Sequence, residues 1–236
     1  MARIILVGGG TSSGKSFVSS RVVENLGIDE VTRITMDDYY KDQKDIPMEE
    51  RITVNYDHPK AFDWPLMRKQ IQALKEDKQI EKPIYDFVNH TRSDKSEIIV
   101  PKKLVVVEGI MALVDEKIRN LADLKVFISA SAERRLLRRM IRDVKERGRT
   151  FENVVAQYFS TVQPMYDEVV APSSMYADLI INNDGVENLA IEVLTSIFRE
   201  ELKSAKANDS RVRVLGDEFS EENLKMVFRG QDKSDL

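Results

Sequence analysis

Cysteine is absent from the 236 residues, which rules out disulfide frameworks, thiolate zinc sites and cysteine nucleophiles. A reducing compartment is compatible with that composition. Nor is there an excess of positive charge, since 36 Lys and Arg stand against 40 Asp and Glu, for a net charge of −4 and a pI near 5.5. A surface built throughout for nucleic acid or anionic lipid is therefore excluded, and any polyanion site has to be local. Long apolar runs are missing as well: none approaches the ~20 residues of a membrane span, and the run within Met1–Gly8 is short for a secretory leader. These absences predict a soluble cytoplasmic protein with neither membrane nor nucleic acid as a partner. The guanine-reading motif Asn-Lys-x-Asp is also lacking, Asn182-Asn183-Asp184 being only superficially like it, and Glu108-Gly109 is not the Asp-x-x-Gly of a switch strand. A signalling GTPase is thereby disfavoured.

What the chain does contain is a set of short runs rich in Ile and Val: Ile4–Val7, Leu104–Val107, Val126–Ile128 and Leu179–Ile181. Continuous apolar runs of this length suit strands buried on both faces of a parallel sheet. A weaker candidate between Val31 and Met36 brings the strands to about five. Helical spacing over Lys15–Leu26, Phe62–Glu76, Ala132–Glu146, Phe151–Val170 and Asn188–Lys203 supplies the crossovers. The fold class is then α/β, a doubly wound parallel sheet with flanking helices. Two proline-bearing extended segments, Gln79–Phe87 and Ser96–Lys102, flank a polar loop Asn89–Asp94 and predict a hairpin projecting over about residues 79–102. We expect one domain over residues 1–203, with a helical lid over about 133–170, followed by a polar extension over 204–236. The extension's apolar patches, Val212–Leu215 and Leu224–Phe228, indicate no particular structure.

The strongest local signal is Gly9-Gly10-Thr11-Ser12-Ser13-Gly14-Lys15-Ser16, a match to G-x-x-x-x-G-K-[ST] directly after a strand and opening a helix. Its glycines let successive N–H groups converge on phosphate oxygens, and the helix N-terminus adds favourable partial charge. Lys15 is expected to reach the outer phosphates of ATP, and the Ser16 hydroxyl to coordinate Mg²⁺. Glu108, at the end of another buried strand, is placed to complete the magnesium shell from the opposite side. After the second strand come Asp37 and Asp38. An acceptor hydroxyl must be aligned and its proton must go somewhere, which one carboxylate facing the γ-phosphate can accomplish. Adjacent acids on an extended segment point apart, so one of the two faces the cleft, and spacing alone does not choose between them.

From Glu133 to Arg149 there are eight basic and three acidic residues, a local charge of +5 in an acidic chain. Helical spacing gathers Arg135, Arg138, Arg139 and Arg142 on one side and Leu136, Leu137, Met140, Ile141 and Val144 on the other. A lid that closes over a triphosphate needs such a concentration; an RNA-binding face and a solvated charged face are the competing readings.

Seven ordered blocks carry a family resemblance: the glycine-rich loop, Ile34–Tyr40, Asn55–Pro59, Pro83–His90, Val107–Gly109, Glu146–Arg149 and Tyr176–Ile181. Together they resemble the blocks of uridine kinases, in the phosphoribulokinase/uridine kinase family of P-loop kinases, from about residue 4 to 200. Met36 and Asp38 stand where that family often has glutamine and serine. The resemblance implies that Asp37 is the catalytic base and, with Ser16 and Glu108, a metal-site residue, and that Asp57 holds the ribose hydroxyls beside Tyr40 and Tyr56. It implies that Tyr85 and Phe87 flank a pyrimidine whose exocyclic edge His90 reads. It also implies nucleoside contacts from Arg139, Arg149 and Gln157, and phosphate contacts from Arg142 and Arg147. Flat aromatic faces plus one hydrogen-bonding edge agree in kind with a heteroaromatic base, although aromatics in a hairpin more often pack against their own domain.

The expected activity is ATP-dependent phosphorylation of the 5′-hydroxyl of uridine, and of cytidine, in pyrimidine salvage, with Mg²⁺ as cofactor and GTP left open as a second donor. A phosphoribulokinase-like or pantothenate kinase-like enzyme would share Lys15, Asp37 and Glu108 without needing Tyr85, Phe87 and His90. A nucleotide-binding or RNA-binding regulator without turnover is the remaining alternative. The resemblance further implies a homotetramer and feedback by pyrimidine triphosphates.

Overall fold

A computed structural model describes residues 1–185 and 187–218. Its strands are β1 (Arg3–Gly9), β2 (Val31–Thr35), β3 (Ile80–Asp86), β4 (Thr91–Ile99), β5 (Leu104–Glu108), β6 (Leu124–Ser129) and β7 (Leu179–Asn182). Five of them form one sheet in the order β2-β5-β1-β6-β7, every pair parallel. Alternation along β1 decides the layering, because Ile4 and Leu6 enter one core and Ile5 and Val7 the other, all fully buried. A sheet apolar on both faces must be covered on both.

The covering elements are α1 (Lys15–Leu26), α2 (Met48–Arg51), α3 (Trp64–Lys75), α4 (Glu116–Arg119), α5 (Ala132–Arg147), α6 (Phe151–Gln157), α7 (Gln163–Met165) and α8 (Glu187–Glu218). Val18 and Val22 of α1 join Leu194 and Phe198 of α8 over Ile5 and Val7. Met67, Ile71 and Leu74 of α3 pack over Ile4 and Leu6 on the other face. Each such side chain contributes about 1.5–3 kcal/mol relative to exposure. The fold class expected from the sequence is the one observed. Among the described residues no helix is long and apolar enough to cross a membrane.

Four local expectations change. The helix predicted from Phe62 begins at Trp64, because Asp63 caps it: its carboxylate accepts from the Leu66 N–H at 3.1 Å, with Pro65 in the first turn. The predicted hairpin loop Asn89–Asp94 is mostly strand, β4 starting at Thr91 and pairing Asp86 with Thr91. Asp86 makes that short turn, Oδ1 accepting from the N–H groups of Val88 and Asn89 at 2.9 and 3.0 Å. The segment Phe151–Val170 is helical but not uniformly wound: wider i→i+5 turns cover Tyr158–Val162 and Tyr166–Val170 on either side of Pro164, which has no N–H to donate. At the other end, α8 runs through the expected boundary at Lys203 to Glu218 and takes in Val212–Leu215. The patch Leu224–Phe228 lies outside the described residues.

Candidate active site

At the C-terminal edge of the sheet, the ends of β1, β2 and β5 open into a cavity of about 640 Å³, where open parallel sheets bind ligands. The loop after β1 forms its floor. Ser12 has φ +55° and Gly14 φ +95°, conformations that turn the chain sharply into α1. A Cβ on Gly14 would lie 2.2 Å from Asn183 Nδ2, which donates to the Ser13 carbonyl at 2.9 Å. The Asn183 side chain therefore packs directly on the loop backbone where a Cβ would intrude. The buried hydroxyls of Ser12 and Ser13 have no partner among the described residues, and Gly9 and Gly10 complete the loop's entry. Of this loop, Thr11, Lys15 and Ser16 line the cavity. Lys15 donates to the Gly10 carbonyl at 3.3 Å, and burial lowers its pKa against the opposing pull of Glu108 and Asp37.

Across from the loop, Ser16 Oγ donates to Glu108 Oε2 at 2.9 Å. Thr35 Oγ1 at 3.4 Å and Arg33 Nη2 at 3.5 Å reach the other carboxylate oxygen. Gly109 follows because a Cβ there would meet Met36 Cγ at 1.9 Å. A hydroxyl and a carboxylate facing the phosphate loop form an oxygen donor set that fits Mg²⁺, and the unpartnered serines and glycine cradle fit a polyphosphate.

The two adjacent acids sit on a tight turn, Met36–Tyr39, and not on extended chain. Successive side chains on such a turn lie roughly 120° apart, so they still diverge. Asp37 lines the cavity. Burial and the Glu108 charge push it up to about 6, Lys15 and Arg147 pulling the other way. Asp38 instead pairs with Lys82 of β3 and accepts from the Tyr85 N–H at 3.4 Å, tying the hairpin to the sheet.

Aromatic rings make the far wall. Tyr40 meets Tyr56 edge-on at 5.1 Å and Tyr85 at 5.1 Å, Tyr85 meets Phe87 at 5.2 Å, and Tyr56 lies 5.6 Å from the His90 ring. Gln43, buried under this wall, donates to Tyr56 Oη at 2.8 Å. His90 has φ +49°, a left-handed conformation uncommon for histidine that holds its ring at the cavity. Burial, then the charges of Arg149 and Arg51, lower its pKa and favour the neutral imidazole. Asp57 lies beside these rings; burial raises its pKa while Arg139, Lys15, Arg142 and Arg149 pull it down.

Helix α5 closes the remaining side with its charged face turned inward. Arg135, Arg139 and Asp143 are buried, whereas Leu137 and Ile141 are 50% and 49% exposed. Arg139 donates to Thr11 Oγ1 at 3.0 Å and to Gln157 Oε1 at 2.9 Å, and Arg149 donates to the same Gln157 oxygen at 2.6 Å. Arg142 and Arg147 also line the cavity. Arg135 faces Tyr166, its guanidinium 3.5 Å from the ring centre, and Arg138 donates to the carbonyl of Asn183 at 3.0 Å; neither lines the cavity.

The cavity thus gathers the side chains singled out in the sequence, apart from the loop residues Gly9, Gly10, Ser12, Ser13 and Gly14, which do not line it. Sequence reasoning missed Thr35, Ile110 and Glu146, which also line it, and Gln43 and Asp143, which lie behind it. Asp143 had a readable signal, an acid at i,i+4 spacing from both Arg139 and Arg147. Gln43 had none.

Residues 4–190 match the model of the Phosphoribulokinase / Uridine kinase family. The chain is 45% identical over 196 residues to a uridine kinase of Deinococcus deserti, covering 83% of this chain and 95% of that protein. It is 44% identical over 196 residues to a uridine kinase of Geobacillus sp. WCH70, covering 83% and 93%. Among solved structures, phosphoribulokinase from Rhodobacter spheroides matches with a TM-score of 0.57 at 16% identity, over 77% of this chain and 70% of that one. D-glycerate 3-kinase from Cryptococcus neoformans matches with a TM-score of 0.56 at 16% identity, over 77% and 86%. These two likenesses concern the fold. From the family match and the identity over most of both chains, the protein belongs to the phosphoribulokinase/uridine kinase family.

Proposed function

We propose that this chain transfers the γ-phosphoryl group of ATP to the 5′-hydroxyl of uridine, and of cytidine, giving the nucleoside monophosphate for pyrimidine salvage. The observation that carries the reading is the shared cavity: Asp37, Asp57 and the Tyr85, Phe87 and His90 wall open onto the same space as Lys15. A phosphorylated sugar or a pantothenate chain gives no reason for a wall of aromatic rings and a neutral imidazole, whereas a pyrimidine presents two flat faces and one polar edge.

In this reading Asp37 aligns the 5′-hydroxyl and takes its proton as the new O–P bond forms and the bond from the γ-phosphorus to ADP breaks. Lys15, Arg142 and Arg147 stabilise charge on the phosphates. Ser16 and Glu108, with Asp37 alongside, would hold Mg²⁺, which supplies charge neutralisation across the transferred group. Asp57 holds the ribose hydroxyls, and Arg139, Arg149 and Gln157 border the nucleoside. The reading includes a cytoplasmic homo-oligomer, a tetramer by family likeness.

The test is ADP release from Mg·ATP with uridine, cytidine, ribulose 5-phosphate, pantothenate or no acceptor. Rates well above background with the two pyrimidine nucleosides alone support the reading; a preference for either of the other acceptors removes it.

A further inference from the structure

Four guanidinium groups converge on Asp143, a fully buried residue of α5. Its Oδ1 lies 2.8 Å from Arg142 Nε and 3.5 Å from Arg147 Nη1. Its Oδ2 lies 3.5 Å from Arg139 Nε and 3.5 Å from Arg149 Nη1. The two oxygens therefore divide the arginines between the two substrates of the proposed reaction, Arg142 and Arg147 on the phosphate side, Arg139 and Arg149 on the nucleoside side. Burial alone would raise the carboxyl's pKa, but the Arg142 hydrogen bond and the charges of Arg142, Arg139 and Arg147 hold it below the usual value, so the group is ionised.

Among the described residues Asp143 is the carboxylate in ion-pair contact with all four arginines, while Asp57 and Asp37 act on them from farther off, so the contacts are underneutralised and the arginines repel one another. At Arg139 burial is the main cause of a lowered pKa; Asp57 and Asp143 oppose it, and the charges of Arg142 and Arg149 add to the lowering. A polyphosphate that engages Arg142 and Arg147 supplies the missing negative charge. It relieves the repulsion and frees the carboxylate to act more fully on Arg139 and Arg149. Those two already share Gln157 Oε1, and Arg139 also reaches Thr11 on the phosphate loop, so one hydrogen-bonded path joins the two halves of the cleft.

We propose that Asp143 is a positioning residue that couples the donor and acceptor sites, so that occupancy of the phosphate side tightens nucleoside binding through Arg139 and Arg149. This rests on the nucleoside kinase reading. It goes further in assigning positive heterotropic coupling to a single carboxylate that touches neither substrate.

The experiment is calorimetric titration of uridine into the full chain, with and without saturating Mg²⁺ and a non-hydrolysable ATP analogue, for wild type, Asp143→Asn and Asp143→Glu. In wild type the analogue should lower the uridine Kd about fivefold or more, a common size for such coupling, and in Asp143→Asn the ratio should shrink to within about twofold. Asp143→Glu keeps the charge and should retain most of the coupling. A variant that binds uridine more weakly but keeps the wild-type ratio would show that Asp143 is merely structural and overturn the proposal. So would a wild-type Kd indifferent to the analogue, a result independent of how any variant folds. Uridine that fails to bind wild type in either state would overturn the functional reading and this inference together, whereas uridine that binds without coupling overturns this inference alone.

Discussion

Ser16 Oγ donates a hydrogen bond to Glu108 Oε2 at 2.9 Å, joining the first turn of α1 to the end of β5 across 92 positions of sequence. The pair stands where the phosphate loop faces the strand-end carboxylate, as a magnesium site requires. Glu108→Gln preserves size and one acceptor oxygen but removes the charge. It should raise the Mg²⁺ needed for half-maximal rate about tenfold or more while the melting temperature stays close to wild type. Magnesium titration of initial rates checks this, and an unchanged requirement would take Glu108 out of the metal site.

Asp37 should reveal itself through stability as well as rate. Its pKa in the folded chain is about 6, against 3.8 for an ordinary Asp. The native state therefore binds this proton more tightly than the unfolded chain, and the associated stabilisation, complete below about pH 4, is lost as pH rises through about 6. Asp37→Asn should stabilise the ligand-free protein at about pH 8 by on the order of 1 kcal/mol, the full shift being discounted for water in the cleft. The advantage should vanish below about pH 4, while kcat falls at least ~10²-fold. Denaturant midpoints across that range, identical for both proteins, would count against the buried-base geometry.

Asp38 should behave in the opposite way. Lys82, nearly buried, is held between Asp38 and Glu97, the latter at 3.3 Å. Asp38→Asn removes the closer partner and should cost about 1–3 kcal/mol of stability. It should raise the uridine KM through the loosened hairpin and leave kcat within a few-fold. A kcat loss equal to that of Asp37→Asn would assign the base to the wrong acid.

Much of this was readable because parallel strands buried on both faces are continuous apolar runs, and the phosphate loop carries its own punctuation. The orientation of α5 was not. A helix whose arginines point inward is stable only because Asp143, Gln157 and Thr11 meet them, and two of those partners lie outside the helix. The cleft-facing acid was ambiguous for a related reason: the tight turn and the distant Lys82, not the local spacing, separate Asp37 from Asp38. The hairpin turn was misplaced because Arg92–Asp94 are polar strand residues on a narrow two-stranded ribbon, where alternation has little core to report on.

Asp57 provides a test of the sugar. A carboxylate drawn partly out of water favours donors that only a ribose supplies in pairs, and sites built on such a bond can reject the analogue lacking one hydroxyl by up to ~10⁴-fold. Wild type should show a far lower kcat/KM for 2′-deoxyuridine than for uridine, and Asp57→Ala should narrow the gap by damaging uridine more. Steady-state comparison of both nucleosides in both proteins decides it. Full discrimination retained by the variant would move ribose sensing elsewhere.

The central claim is that a γ-phosphoryl group moves to the 5′-oxygen of a pyrimidine ribonucleoside held against the hairpin. Phosphorus NMR of wild type with Mg·ATP and either uridine or 5′-deoxyuridine follows that group directly. The account predicts a new 5′-phosphomonoester accumulating with one ADP per ester from uridine, and neither product above background from 5′-deoxyuridine. ATP consumption that is the same with both nucleosides, or a phosphate ester formed from 5′-deoxyuridine, would contradict it.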